Sequence, residues 1–308
     1  MKEILSTIKE SSMHCKYLTV LFGFGVMSAL TLGCGKSSEG VRMVGSDTMV
    51  NLAQAWAEKY GKEFPAKKSI QVSGGGSGVG IASLINGTCD LANASREMEP
   101  AELQKIKEKY KVDAKEHVVG FDALAVYVHK DNPLDTISIE ELAEIYGQNG
   151  KIDSWSQLGV DSKVLGNDKI TRASRQNSSG TYAYFREAVL GKKRDYKLGS
   201  IDRSGSKDVI DLVASTPNAI GYSGMGYATP SVKMLRISAK RGQPGVAPTV
   251  ENAMRKEGRY PITRSLLIYT VGEPGGQAKE FLDWIFGPQG QGLVGELGYV
   301  PLGKQKHD

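Results

Sequence analysis

The spacing of apolar positions predicts alternating short strands and helices from Val41 onward. Val41-Arg42-Met43-Val44 predicts a first strand. Met49, Leu52, Ala53, Trp56 and Tyr60 recur at helical spacing, so 48–62 is expected to be an amphipathic helix. Ser46, Asp47 or Thr48 would cap it. A second strand is predicted over Lys68–Val72, followed by a glycine loop and a helix carrying Ile81, Leu84 and Ile85 that stops near Asn86-Gly87. Asp90–Ser95 predicts a third strand and Pro100–Lys111 a charged surface helix. Strand, loop and helix in series imply a parallel sheet, with ligands gathered at the carboxyl ends of its strands.

Farther along, 118–128 is an almost wholly apolar strand ended by Asn132-Pro133, and Ser138–Tyr146 reads as a helix. Ile170–Ala173 leads into Arg175-Gln176-Asn177-Ser178-Ser179-Gly180-Thr181, after which apolar residues at 182, 185 and 189 predict another helix. Asn218–Tyr222 is a strand ending in a Gly-rich turn, and Leu266–Val271 a second long apolar strand. The chain closes with a helix over Ala278–Phe286 and a Gly-rich tail. The long strands 118–128 and 265–271 bracket a middle section and read as crossings between two domains. One would be discontinuous, 41–120 plus 265–308, and the other would hold 121–264.

The N-terminus breaks this pattern. Tyr17–Leu32 is a nearly uncharged run behind Lys16, shorter than the ~20 residues that span a bilayer. It reads as a secretory signal peptide, with an uncleaved anchor as the alternative. Cys34 in Thr31-Leu32-Gly33-Cys34-Gly35 resembles a lipobox cysteine, with Thr31 where Leu is usual. Residues 1–34 are therefore expected to be a leader with a lipidation site, 35–40 a tether, and Met13 the true start. Both readings put the remaining chain outside the cytoplasm, lipid-anchored in the first.

Composition narrows the classes. Among 308 residues, 40% are hydrophobic and 24% charged, as in a folded globular protein. The formal charge of +5 comes without a run of like charges, which argues against a nucleic-acid partner. Cys15, Cys34 and Cys89 match no zinc spacing and the four histidines do not cluster, so no metal or cofactor is expected.

Three loops carry the chemistry: 45–48, 74–78 and 175–181, each ahead of a predicted helix. They would supply the hydroxyls of Ser46, Thr48, Ser77, Ser179 and Thr181, the backbone at Gly78 and Gly180, and the Arg175 fork. Helix-start N–H groups, hydroxyls and guanidinium are donors, which a small tetrahedral oxyanion requires. For 175–181 alone, an ordinary helix cap with a surface arginine is the other reading. A serine hydrolase is disfavoured because Val79 replaces the last Gly of G-x-S-x-G around Ser77. G-x-G-x-x-G fails at Ile81, and no P-loop occurs.

With these loops in view, the chain resembles the PstS-like phosphate-binding proteins of bacterial ABC transporters. The motifs are GSDTM at 45–49, SGGGSGVGI at 73–81, DLANASRE at 90–97, SRQNSSGTYAYF at 174–185 and NAIGYSGMGYA at 218–228. YPITRSLLIYTV at 260–271 and FLDWIFGPQGQ at 281–291 complete the order. The resemblance implies a two-lobed α/β type II periplasmic binding protein with parallel-rich sheets, flanking helices and a hinge of two crossing strands. It implies inorganic phosphate as ligand, a separate ABC permease as partner, and a monomer without enzymatic activity. Sulfate or molybdate as ligand, an exported α/β enzyme, and a second signalling or adhesive role are the alternatives. Thr48, Ser77, Arg175, Ser179, Gly180 and Thr181 match the family's phosphate contacts. Arg96 stands where some members carry an Asp that accepts the proton of hydrogen phosphate, and Asn177 where those members carry a second Asp. Arg96 either touches the anion or is salt-bridged. Asp47 is the candidate replacement, accepting the proton or orienting an arginine.

Overall fold

The computed structural model describes residues 40–303 apart from Lys192 and Lys256. The expected leader with Met13 and Cys34, and residues 35–39 of the tether, lie outside the described residues. The first half runs β1 (Val41–Gly45), α1 (Val50–Glu63), β2 (Ile70–Ser73), α2 (Ser77–Asn86), β3 (Leu91–Ala94), α3 (Pro100–Tyr110), β4 (Ala114–His129), β5 (Thr136–Ser138) and α4 (Ile139–Tyr146). It continues with β6 (Thr171–Arg175), α5 (Gly180–Phe185), β7 (Ile201–Arg203), α6 (Ser206–Ser215), β8 (Ala219–Gly224), β9 (Val232–Met234) and β10 (Arg236–Ser238). The chain ends with α7 (Val250–Met254), β11 (Thr263–Val271), α8 (Gly276–Phe286) and α9 (Pro288–Glu296).

The apolar spacing that predicts α1 is the face it buries: Leu52, Ala53, Trp56 and Tyr60. Its cap differs from expectation. The N-cap is Met49, without a side-chain cap bond, so none of Ser46, Asp47 and Thr48 caps the helix. The Gly-rich tail is also corrected, since PQGQGLVGE forms α9 with Pro288 in its first turn. Its glycines let it pack closely: a Cβ on Gly290 would lie 2.5 Å from Ile285 Cα, and Trp56 Nε1 donates to Gly290 O at 2.8 Å.

One curled sheet of nine strands, in the order β2-β1-β3-β11-β4-β8-β6-β7 with β9 also on β4, runs through both lobes. The β1, β2 and β3 pairings are parallel, as the strand-loop-helix series predicts. β4 is longer than the apolar run suggests, at 16 residues. From Ala114 to Ala123 it pairs antiparallel with β11, and from Leu124 to Val128 with β8. It is thus the strand that passes from one lobe to the other.

Packing follows the same division. One cluster of buried apolar residues gathers Ala123 to Ile262 together with Val300. Two others, around Trp56 with Phe281 and around Ile81 with Leu267, lie under β1, β3 and β11. No helix among the described residues is long and apolar enough to cross a membrane.

Candidate functional site

The three loops meet where the lobes touch. Gly78 N donates to Ser178 O at 2.9 Å, and Ser178 Oγ donates to Gly75 O at 3.3 Å. Thr48 Oγ1 and Thr181 Oγ1, one from each lobe, lie 2.8 Å apart and are both buried. Behind them, Ser46 Oγ donates to Ser95 Oγ at 2.9 Å, Ser77 Oγ lies 3.3 Å from Ser95 Oγ, and Ser95 N donates to Ser77 Oγ at 3.0 Å. Gly180 presses onto this chain: a Cβ there would stand 2.2 Å from Ser77 Oγ and 2.6 Å from Ser95 Oγ. Only a glycine lets the second lobe approach so closely.

Asp47 ties the lobes together electrostatically. Its Oδ1 accepts from Gly75 N at 2.8 Å and its Oδ2 from Arg175 Nη2 at 2.8 Å. Arg175 is held on its other sides by Ser206 Oγ at 2.9 Å, Ser204 O at 2.7 Å and Arg203 O at 3.3 Å. Its side chain is 1% exposed. Burial pulls the guanidinium below its usual pKa, Asp47 pushes it back up, and the charge of Arg264 adds to the pull. The Asp47–Arg175 bond is the contact that a carboxylate orienting an arginine would make. The carbonyls of the first loop are fixed too: Tyr227 donates to Asp47 O and Tyr299 to Thr48 O.

Three predicted residues are used differently, the first being Gly78, whose N–H is already given to Ser178 O. Ser179 is the N-cap of α5, accepting from Thr181 N at 3.2 Å and Tyr182 N at 3.4 Å, so its hydroxyl serves its own helix. Arg96 does not join the hydroxyl cluster. Both ends of its fork donate to Glu102 at 2.8 Å, and Nη1 also reaches Glu97 O at 2.8 Å. That pairing raises Arg96 above its ordinary pKa. Arg96 and Asn177 both line a cleft of about 870 Å³, together with Thr263, Arg264 and Ser265.

Sequence reasoning missed Ser95, Ser206, Asp122 and Arg264. The last two form an ion pair at 2.8 Å with side chains 0% and 2% exposed. Arg264 Nη2 also donates to Thr48 Oγ1 at 3.1 Å. Burial raises the Asp122 carboxyl, and Arg264 works against that rise. A signal was present: Asp122 is the lone charge in VVGFDALAVYV, and Arg264 heads the apolar run SLLIYTV. A charge buried in a strand is normally paired. Among the described residues, no group of three His, Cys, Asp or Glu is placed to hold a metal.

Two lobes joined by crossing strands, with hydroxyl, amide and guanidinium donors at their contact, define a two-lobed binding protein for a small oxyanion. The family described as PBP superfamily domain matches residues 33–289. The phosphate-binding protein PstS of Pseudomonas aeruginosa is 34% identical over 269 residues, covering 84% of this chain and 82% of that protein. Its namesake in Bacillus subtilis is 35% identical over 275 residues, covering 88% and 83%. A putative phosphate ABC transporter substrate-binding protein from Clostridium perfringens, solved with bound phosphate, superposes with a TM-score of 0.75. It is 27% identical and the match covers 86% of this chain and 100% of that one. The chain belongs to the PstS-like family of the PBP superfamily.

Proposed function

We propose that this chain captures inorganic phosphate outside the cytoplasm and delivers it to the permease of an ABC importer. One observation carries the reading: loops from both lobes bring Ser46, Thr48, Ser77, Thr181 and Arg175 to a single buried contact. Hydrogen bonds to a charged group contribute ~1.5–3 kcal/mol each, so several suffice for micromolar affinity after ordering costs. The backbone N–H of Gly180 would add a donor, whereas that of Gly78 is taken by Ser178 O. Lobe closure would desolvate the ion, and the closed form would dock on a permease made by separate chains. Cys34 would carry the lipid that holds the monomer at the membrane surface. The group acts by binding and release, with no bond made or broken.

The test is calorimetric titration after unfolding and refolding to strip carried-over ion. One-to-one binding of phosphate, with sulfate far weaker, is the expected result. Equal sulfate binding would transfer the reading to another oxyanion, and heat from neither anion would refute it.

A further inference from the structure

Arg264 and Asp122 are direct partners across β11 and β4, one rung before β4 leaves β11 for β8. Arg264 Nε and Nη2 both donate to Asp122 Oδ2, at 3.1 and 2.8 Å. Nη2 also donates to Thr48 Oγ1 at 3.1 Å, while Nη1 lies 3.4 Å from Ser95 O. A cation therefore stands one hydrogen bond behind the Thr48–Thr181 contact. Because Thr48 Oγ1 accepts from Arg264, its own proton is free to point forward, toward Thr181 or an anion. Asp122 Oδ1 is buried without a hydrogen-bond partner. The phenols of Tyr127, Tyr184, Tyr227, Tyr260 and Tyr299 feel the Asp122 charge. These are neutral, which leaves Arg264 as the cation that answers Asp122 among the described groups.

We propose that Asp122, acting through Arg264, sets which charge state of an oxyanion the site favours. The inference rests on the anion-binding reading above. Each guanidinium at the lobe contact has its own carboxylate, Arg175 with Asp47 and Arg264 with Asp122. The site therefore sums to zero charge and holds its ligand by oriented donors. Net positive charge would attract a dianion twice as strongly as a monoanion. Cancelling it removes that advantage, so sulfate gains nothing over a protonated phosphate. Asp122 is a positioning and specificity residue in this scheme; it need not touch the ligand.

The experiment is calorimetric titration of the full chain with inorganic phosphate and with sulfate, below neutral pH. There phosphate is mostly a monoanion and sulfate a dianion. Phosphate binding by the unaltered protein tests the underlying reading separately; its absence would sink that reading whatever the variants do. Asp122→Asn is expected to raise the sulfate-to-phosphate affinity ratio at least about tenfold. Arg264→Gln is expected to move the ratio the other way. The double variant Asp122→Asn/Arg264→Gln should bind both anions more weakly, with a ratio near the original. A merely structural role would weaken both anions alike, so a ratio unmoved in folded single variants overturns the proposal. Removing Asp122 alone strands a buried cation. If that variant does not fold, Arg264→Gln decides, and a ratio unchanged or shifted toward sulfate refutes the charge argument.

Discussion

Gly180→Ala separates binding from folding in one substitution. The new methyl would lie 2.2 Å from Ser77 Oγ, 2.6 Å from Ser95 Oγ and 3.0 Å from Ser77 Cβ, all in the opposite lobe. Ordinary contact begins at 3.4 Å, so the lobes must part by roughly 1 Å there or the serines must turn away. Turning is costly because Ser46, Ser95 and Ser77 are bonded to one another. Overpacking of this kind costs ~1–3 kcal/mol, and it falls only on the closed form. Phosphate affinity should therefore drop about 5- to 150-fold. Meanwhile alanine favours the first turn of α5 by up to ~1 kcal/mol over glycine. Thermal unfolding without phosphate should thus show an equal or higher midpoint, beside a titration showing the lost affinity. Affinity within about twofold of the parent would refute the idea that this close approach is part of binding.

Asp47→Asn deprives the buried Arg175 of its charge partner while leaving Ser206, Ser204 and Arg203 in place, and should cost about 3 kcal/mol in urea unfolding as well as weakening phosphate. Unchanged stability would mean that the pair is idle. Trp56→Phe leaves Gly290 O without its donor, for a loss of ~1–3 kcal/mol in unfolding and no change in phosphate affinity, since that contact lies away from the loops. Burial pushes Tyr222 and Tyr227 up to about 12, whereas unfolded phenols ionise near ~10. The unfolded chain releases these protons first, so stability should fall as pH rises beyond about 10 and keep falling toward about 12. Phenolate absorbance from these two should appear together with the loss of circular dichroism; their ionisation in a still-folded protein would contradict the assignment.

How much of this was legible depended on whether the signal was local. α1 and the crossing strands announce themselves because their apolar spacing is the face they bury. The start of β4 does not. Lys115 and Glu116 pair with β11 while exposed, and polarity cannot separate a solvated strand from a loop. α9 hides behind Gly290, Gly292 and Gly295, which propensity reads as tail, although Gly290 is what lets the helix sit against Ile285. α6 carries Val209, Ile210 and Val213 at helical spacing, a run too short for periodicity alone to tell a helix from a strand. At the site, the loops were visible as clusters of small hydroxyl residues before helices. The Asp122–Arg264 pair was not, because its partners lie 142 positions apart and only strand register joins them. Ser179 shows the opposite error, a hydroxyl with two plausible uses of which the structure displays the local one.

The position of β11 has a consequence for the order in which the chain is made. It lies between β3 and β4 in the sheet, yet it is the last strand in sequence. Throughout synthesis of the second lobe, β3 and the first half of β4 therefore carry unpaired edges, the condition under which strands find wrong partners. Most of the second lobe's apolar cluster, from Ala123 to Ile262, is made in that interval, and Val300 joins it later. The lobe that begins first is thus the one that finishes last. A chain that stops before Thr263 lacks β11, and so leaves β3 and the first half of β4 with open edges.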